Sequence, residues 1–415
     1  MIALSLGIFF AMWALATWLW GRDRFEPAFV FQTVWAITLI GVGFSGNYGY
    51  FGISMESALI FVCGAFGFSL GAALLKETIS FSLESRPYNK QVESIDFRRL
   101  AFVCVGLHFL VVPIAISEIR SLADNAEDIF QLAFSLRIKA TTGEDSVGPI
   151  TGNYLLIGLM ALPLLLVGYI KRSVGGILLL LNIIPWILLN LLIGGRAGLV
   201  SLIVASVYIY LSFGGRISTK VTVITLLLFS SVLVAGNVLV SKIDARIEDG
   251  IVPVLEQSLK GFFDYLFAGP ILFSQWVSDP TMLVPTWDAL IFPCQVLEKI
   301  GACTVPSIHQ EFIAFNRQGD LGNVYSIFFS IFPKYGLIGL FVIMVFYGAA
   351  ASYFHQRRND SVFKTLVAAY LFVGVVLTVW SDGFGPNIYF FVKVFVFSMV
   401  VKLFVSGVSG RQPVS

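Results

Sequence analysis

Long apolar runs separated by short polar connectors dominate the sequence. A helix needs about 20 apolar residues to cross a hydrocarbon core, and about eleven runs meet that criterion. They cover 2–20, 28–46, 56–75, 100–117, 154–170, 174–194, 198–214, 219–239, 323–350, 361–380 and 388–406. The runs are continuous, whereas the strands of a membrane barrel would alternate apolar and polar positions. The pattern therefore predicts an all-α, polytopic helical membrane protein. The first run carries its charges after the apolar stretch and lacks a positive leading region, so it reads as a retained span. The run 323–350 is too long for one simple crossing. Its opening, NVYSIFFSIFPKYG, is expected to lie at the interface or to re-enter.

One stretch breaks the pattern. Residues 240–322 mix charge, aromatics, Pro and Gly, and form the only long segment that does not read as a span. Within it, 253–267 keeps apolar residues three or four apart and opens with a helix-compatible Pro. Pro280, Pro285 and Pro293 then divide the remainder into short irregular pieces. A second segment, 118–153, begins with apolar positions at helical spacing from Ile119 to Leu136, as in a helix lying on a surface. No repeat or separate soluble domain is visible. The expectation is a single membrane domain, 1–415, capped on one side by 118–153 and 240–322.

Lys and Arg decide which side that is. They fall in alternate connectors: Arg22 and Arg24, then Lys76 to Arg99, then Lys171 and Arg172, Arg216 and Lys220, and Arg357 and Arg358. The connectors GNYGYFGIS and SDGFGPN contain neither. Because basic loops stay cytoplasmic, the N-terminus and the long segment are expected to face outward and the C-terminus inward. Composition adds little to this picture. The chain is 57% hydrophobic and 13% charged, with mean hydropathy +0.86, about half the charge of a soluble domain. The net charge of +2 favours no partner, and nothing points to nucleic acid. Cys63 and Cys104 fall inside spans, while Cys294 and Cys303 are neighbours in an outward segment and are expected to form a disulfide.

Candidate chemistry is sparse. No phosphate-binding Gly-rich loop, paired CxxC or HExxH is present. Of three histidines, His355 neighbours basic residues and is expected to be solvated, and His108 reads as a core residue of a span. His309, beside Glu311 in the outer segment, is the general-base candidate by elimination. Arg196 sits in GGRAG between two spans, where an ionisable group is costly and faces a cavity or an anion. Its planar fork suits phosphate oxygens. Further cations on that face are Arg120, Arg137, Lys139, Lys242, Arg246, Lys260, Arg317, Lys334 and Lys393, of which Lys242, Arg246 and Arg317 are taken as candidate phosphate contacts. Asp264, Asp288, Glu311 and Asp320 are acids able to hold sugar hydroxyls or to act as a base. No spacing among these groups indicates a metal site.

Three stretches, GGRAGL, FDYLFAGP and GNVYSIFFSIFPKYGLIGLFVIMVFYGAAAS, together with the topology of the whole chain, resemble the Wzy-type O-antigen and capsule polymerases. The resemblance implies a GT-C-like fold in a bacterial inner membrane with its active site at the periplasmic face. It implies a glycosyltransferase that joins undecaprenyl-diphosphate-linked oligosaccharide repeat units, without cofactor or metal. His309 and Glu311 would then act on the acceptor hydroxyl, and Arg196, Lys242, Arg246, Arg317, Asn323 and Tyr325 would hold substrate. Membrane lipids, a chain-length regulator and a flippase of the same pathway would be its partners. An O-antigen-type ligase of the same fold and a lipid-linked oligosaccharide transporter are the alternatives.

Overall fold

The computed structural model describes the chain apart from residues 22, 84–94, 123–130, 133–134, 137–147, 194–195, 214–218, 220–229, 232–250, 283, 287, 306–311, 324 and 405–415. The described chain is helical throughout, with one two-residue hairpin. Its helices are α1 (Ile2–Gly21), α2 (Pro27–Ser45), α3 (Met55–Leu83), α4 (Phe97–Leu122), α5 (Pro149–Ile170), α6 (Gly176–Leu192), α7 (Arg196–Ser212), α8 (Ile251–Ser278), α9 (Phe292–Leu297), α10 (Phe332–Gln356), α11 (Val362–Val376) and α12 (Ile388–Phe404). Among the described residues, seven helices are long and apolar enough to cross a membrane. This is an all-α polytopic membrane protein. All but three residues of the expected span 219–239 lie outside the described residues.

The chain divides into two compact units. Unit 1 comprises 1–87, 261–357 and 370–392; unit 2 comprises 88–260, 358–369 and 393–415. In unit 1, α3 and α10 run in close contact because glycines remove the side chains between them. A Cβ on Gly71 would stand 1.9 Å from the Val345 carbonyl oxygen, and one on Gly348 1.9 Å from that of Phe68. Small residues let membrane helices approach until their backbones touch. Trp35, Phe61, Phe273 and Phe328 fill the centre, with ring centroids about 5–6 Å apart. The Trp35 indole donates to Thr378 Oγ1 at 3.1 Å, so the one polar atom of that ring is satisfied.

In unit 2, α4, α5 and α6 are joined through polar side chains. His108 lies 2.7 Å from the Tyr154 hydroxyl and 3.2 Å from Asn182 Oδ1, the satisfied core histidine that its place in a span suggests. Trp186 donates to the Leu155 carbonyl and lies so close over α5 that a Cβ on Gly158 would meet its ring at 1.8 Å.

Three segments differ from the pattern reading. Helix α4 runs on to Leu122, with Ile119 buried, so 118–122 is its last turn and not the start of a surface helix. Most of the remainder of 118–138 lies outside the described residues. Helix α8 continues past 267, through Pro270, to Ser278, and Phe267–Phe273 are buried. Pro270 sits inside this packed helix, where neighbouring elements compensate for its missing N–H. The long ninth run begins as a buried 3-10 turn, Ile327–Ser330, and only then enters α10. A break at Gly336 (φ 62°, ψ −166°), in a region favouring glycine, sets off the first turn of α10.

Candidate functional site

The connectors at one end of unit 1 build a polar cluster from pieces far apart in sequence. Residues 46–54, 279–291, 312–331 and 380–387 all contribute. The hairpin pairs Ile313 with Gly322 and Ala314 with Leu321. Beside it, Tyr50 bridges to Asn316, and Gly49 accepts the Arg317 N–H at 2.9 Å. The Tyr50 hydroxyl donates to Asp264 and its ring stacks on Phe315 at 5.8 Å. Burial first, then Asp264 and Asp320, push the Tyr50 hydroxyl above its ordinary range. It stays a neutral donor. Asn316 and Asp320 close the hairpin turn through two hydrogen bonds of 2.8 and 3.0 Å.

The second part of the cluster surrounds the first turn of α10. Asp288 Oδ2 receives Lys334 Nζ at 3.1 Å, and Oδ1 receives the Tyr335 hydroxyl at 2.6 Å and the Leu290 N–H at 2.9 Å. Burial alone would raise this carboxyl. The bonds from Tyr335, Leu290 and Lys334 outweigh it and hold Asp288 below the ordinary carboxylate range. The Lys334 side chain is 36% exposed and that of Asp288 23%, so both are open to an approaching ligand.

Asp382 stands nearby in a contrasting environment. It is 3% exposed, in the SDGFGP connector between α11 and α12. Oδ2 faces Ser330 Oγ at 2.8 Å and the Tyr347 hydroxyl at 3.1 Å; Oδ1 accepts the N–H groups of Phe384 and Gly385. Burial dominates over these donors and pushes the acid up to about 6. Ser330 Oγ is also 2.8 Å from the Ile327 carbonyl. A protonated Asp382 can donate to Ser330, which then donates to Ile327; an ionised one draws the serine proton to itself. Both states fit the geometry.

Close backbone approach holds the two acids in one assembly. Ala289 N–H donates to the Ser330 carbonyl at 3.0 Å. A Cβ on Gly385 would lie 1.9 Å from the Ala289 oxygen and 2.5 Å from the Tyr347 hydroxyl, so only glycine fits there. Cys294 and Cys303 are joined by a disulfide, and the adjacent Gln295 donates to the Pro386 carbonyl at 3.2 Å. The disulfide-closed segment thus clamps the connector that carries Asp382.

No family model, curated protein or solved structure matches this chain. The site therefore rests on its own geometry.

The residues chosen from sequence fall as follows. Arg317 is exposed at the hairpin turn, Asn323 is half-buried just after β2 (Leu321–Gly322), and Tyr325 is buried with its ring stacked on Phe329 at 4.3 Å. Arg196 is the first residue of α7, in unit 2, and its side chain lies outside the described residues. Lys242, Arg246, His309 and Glu311 lie wholly outside them. His355, expected to be solvated, is instead 4% exposed and bonded to Asp23 at 3.0 Å. The buried end of α10 thus places the histidine against Asp23 of the α1–α2 connector. Asp288 and Lys334 were visible singly in the sequence, but their pairing was not. Asp382 was missed: its only signal is a lone acid among glycines in an otherwise uncharged connector.

Proposed function

We infer that the chain is a polymerase of lipid-linked oligosaccharide repeat units, working at the connector-bearing end of unit 1. The observation that carries the reading is the Asp288–Lys334–Tyr335 constellation set against buried Asp382. An exposed ammonium, an ionised acid and tyrosine hydroxyls converge where a headgroup projecting from the bilayer would arrive. Exposed Arg317 adds a second cation to the same group of connectors, and the Cys294–Cys303 disulfide supports an oxidising, periplasmic setting. With that side outward, the membrane would be a bacterial inner membrane, and a GT-C-like arrangement would suit the helix count.

In this reading an acceptor sugar hydroxyl attacks the anomeric carbon of the donor. The C–O bond to the undecaprenyl diphosphate breaks, and the diphosphate leaves with the bonding electron pair. Lys334 and Arg317 stabilise the charge that develops on the leaving group; Arg196 stays a candidate read from the sequence alone. Asp288 accepts a hydrogen bond from the acceptor sugar and orients it. A carboxyl held this low is a good acceptor and a weak base, so the proton goes to a stronger base, for which His309 and Glu311 are the candidates. The partners would be the lipid-linked oligosaccharides and bilayer lipids, with a flippase and a chain-length regulator in the same pathway.

The test is genetic and chemical. A deletion strain should accumulate single-repeat surface glycan on a gel, and the wild-type chain should restore the ladder. Complete loss of capped glycan, with no single-repeat band, would instead indicate a ligase or a transporter.

A further inference from the structure

The opposite end of unit 1 holds a crevice that the polymerase reading does not use. Connectors alternate ends along α1, α2 and α3, so the α1–α2 connector and Lys76 lie together, remote from residues 46–54. There a cavity of about 310 Å³ opens between the three helices, lined by Trp13, Thr17, Trp20, Glu26, Ser69 and Lys76, with alanines for the rest. Both charge signs are present. Glu26 is 6% exposed, and its Oε2 receives Lys76 Nζ at 3.0 Å. One of the three ammonium hydrogens points at Glu26. Deeper in, Thr17 donates to Gln32 Oε1 at 2.8 Å and Gln32 donates to Ser69 at 3.0 Å. Fully buried Gln32 thus links the crevice walls by a polar ladder. Ser69 lies about 10 Å along α3 from Lys76 at 1.5 Å per residue.

The polar crevice leads into an apolar one. Trp13 also lines a groove of about 500 Å³ with Phe9, Met12, Val62 and Phe66, on the faces of α1 and α3. The two cavities share the Trp13 ring and follow one another along the helices. Their sequence is charge pair, hydroxyl, indole, then hydrocarbon. That is the order of groups down a phospholipid, and indoles favour the depth between headgroup and chain.

We propose that this crevice and groove bind one phospholipid carrying a primary ammonium and a phosphate, of the phosphatidylethanolamine type. The lipid ammonium meets Glu26, the phosphate meets Lys76, and an acyl chain lies in the groove beyond Trp13. A headgroup with both signs matches a site with both signs, whereas an anionic headgroup would place its charge beside the buried Glu26 carboxylate. A trimethylated ammonium offers Glu26 no hydrogen-bond donor.

The experiment is native mass spectrometry of the full-length chain, purified and exchanged in turn into phosphatidylethanolamine, phosphatidylglycerol and phosphatidylcholine. Phosphatidylethanolamine should be retained about tenfold better than the other two, a ratio typical of one charge-assisted hydrogen bond. Ala73, exposed on the crevice wall, can be enlarged without touching the ion pair. Ala73→Trp should remove the bound lipid while leaving melting in lipid-free detergent unchanged. Glu26→Gln should erase the preference for the ethanolamine lipid. Equal retention of all three lipids by the wild-type chain, or no retention, overturns the proposal without recourse to any variant. Undiminished retention by a folded Ala73→Trp protein overturns it too.

Discussion

Helix α10 has carboxylates at both ends, and the two ends use them differently. At the Gln356 end, His355 meets Asp23 at 3.0 Å and the Phe25 N–H donates to the same carboxylate at 2.8 Å, tying a short connector to a span. At the Phe332 end, Asp288 receives three donors from two elements, and Asp382 lies within reach of four. Local contacts of that kind hold a chain in place. Three or four donors, with one acid held low and the other pushed up, give two carboxyls of different protonation within one assembly. Such divergence between neighbouring acids is a mark of sites that handle charge and protons.

Activity should separate the two ends most sharply. Asp288→Asn keeps the shape but removes the charge that holds Lys334, and transfer should fall about a hundredfold, the loss of one or two charge-assisted bonds. Asp23→Asn, at the other end, should alter polymer amount less than about threefold at matched expression. Gel analysis of surface glycan compares them directly, and similar losses from both would erase the distinction. Arg196→Lys extends the comparison to unit 2. If its fork grips the diphosphate, the lysine variant should lose about tenfold or more despite keeping the charge.

Stability against pH should divide the two acids in opposite directions. The folded state raises Asp382 to about 6, above the unfolded value of about 3.9. The folded protein therefore binds the extra proton between those values, and stability falls as pH rises from about 4 to about 6. The difference corresponds to about 3 kcal/mol. Asp288 is lowered, so its contribution is present above the unfolded value and disappears as pH falls through its folded value. Melting curves of Asp382→Asn should lack the loss between pH 4 and 6, and those of Asp288→Asn should lack part of the acid limb. A wild-type melting temperature that rises from pH 4 to 6 and is unaltered by Asp382→Asn would contradict the assignment.

The smallest separation concerns covalent support. Opening the Cys294–Cys303 loop should cost about 3 kcal/mol by chain entropy, and should loosen the Gln295 clamp on Pro386 at the connector-bearing end only. Reduced protein, or the double serine variant, should melt earlier and polymerise less, while the Asp23–His355 contact is untouched. Unchanged activity after full reduction would detach the clamp from function.

The spans were legible because hydropathy depends on local composition, and α1, α2, α6 and α12 begin and end near where their apolar runs do. Helix α8 extends past the amphipathic stretch 253–267 because burial of Phe267–Phe273 within unit 1, which local spacing does not show, decides the outcome. The site was less legible for the same reason. Lys334 and Asp288 are far apart in sequence and meet only once the Ala289–Ser330 backbone contact forms. Asp382 reads as a connector residue until Gly385 lets that connector fold under Ala289. A short polar connector carries no sign of whether tertiary structure will bury it.

The most direct test supplies the purified protein with a synthetic undecaprenyl-diphosphate-linked repeat unit in liposomes and follows the products by size. The account predicts a ladder of polymers with release of undecaprenyl diphosphate, abolished by Asp288→Asn and Lys334→Met and retained by Asp23→Asn. Absence of any ladder from folded wild-type protein across several repeat-unit substrates, or a ladder unaffected by Asp288→Asn and Lys334→Met, would contradict it.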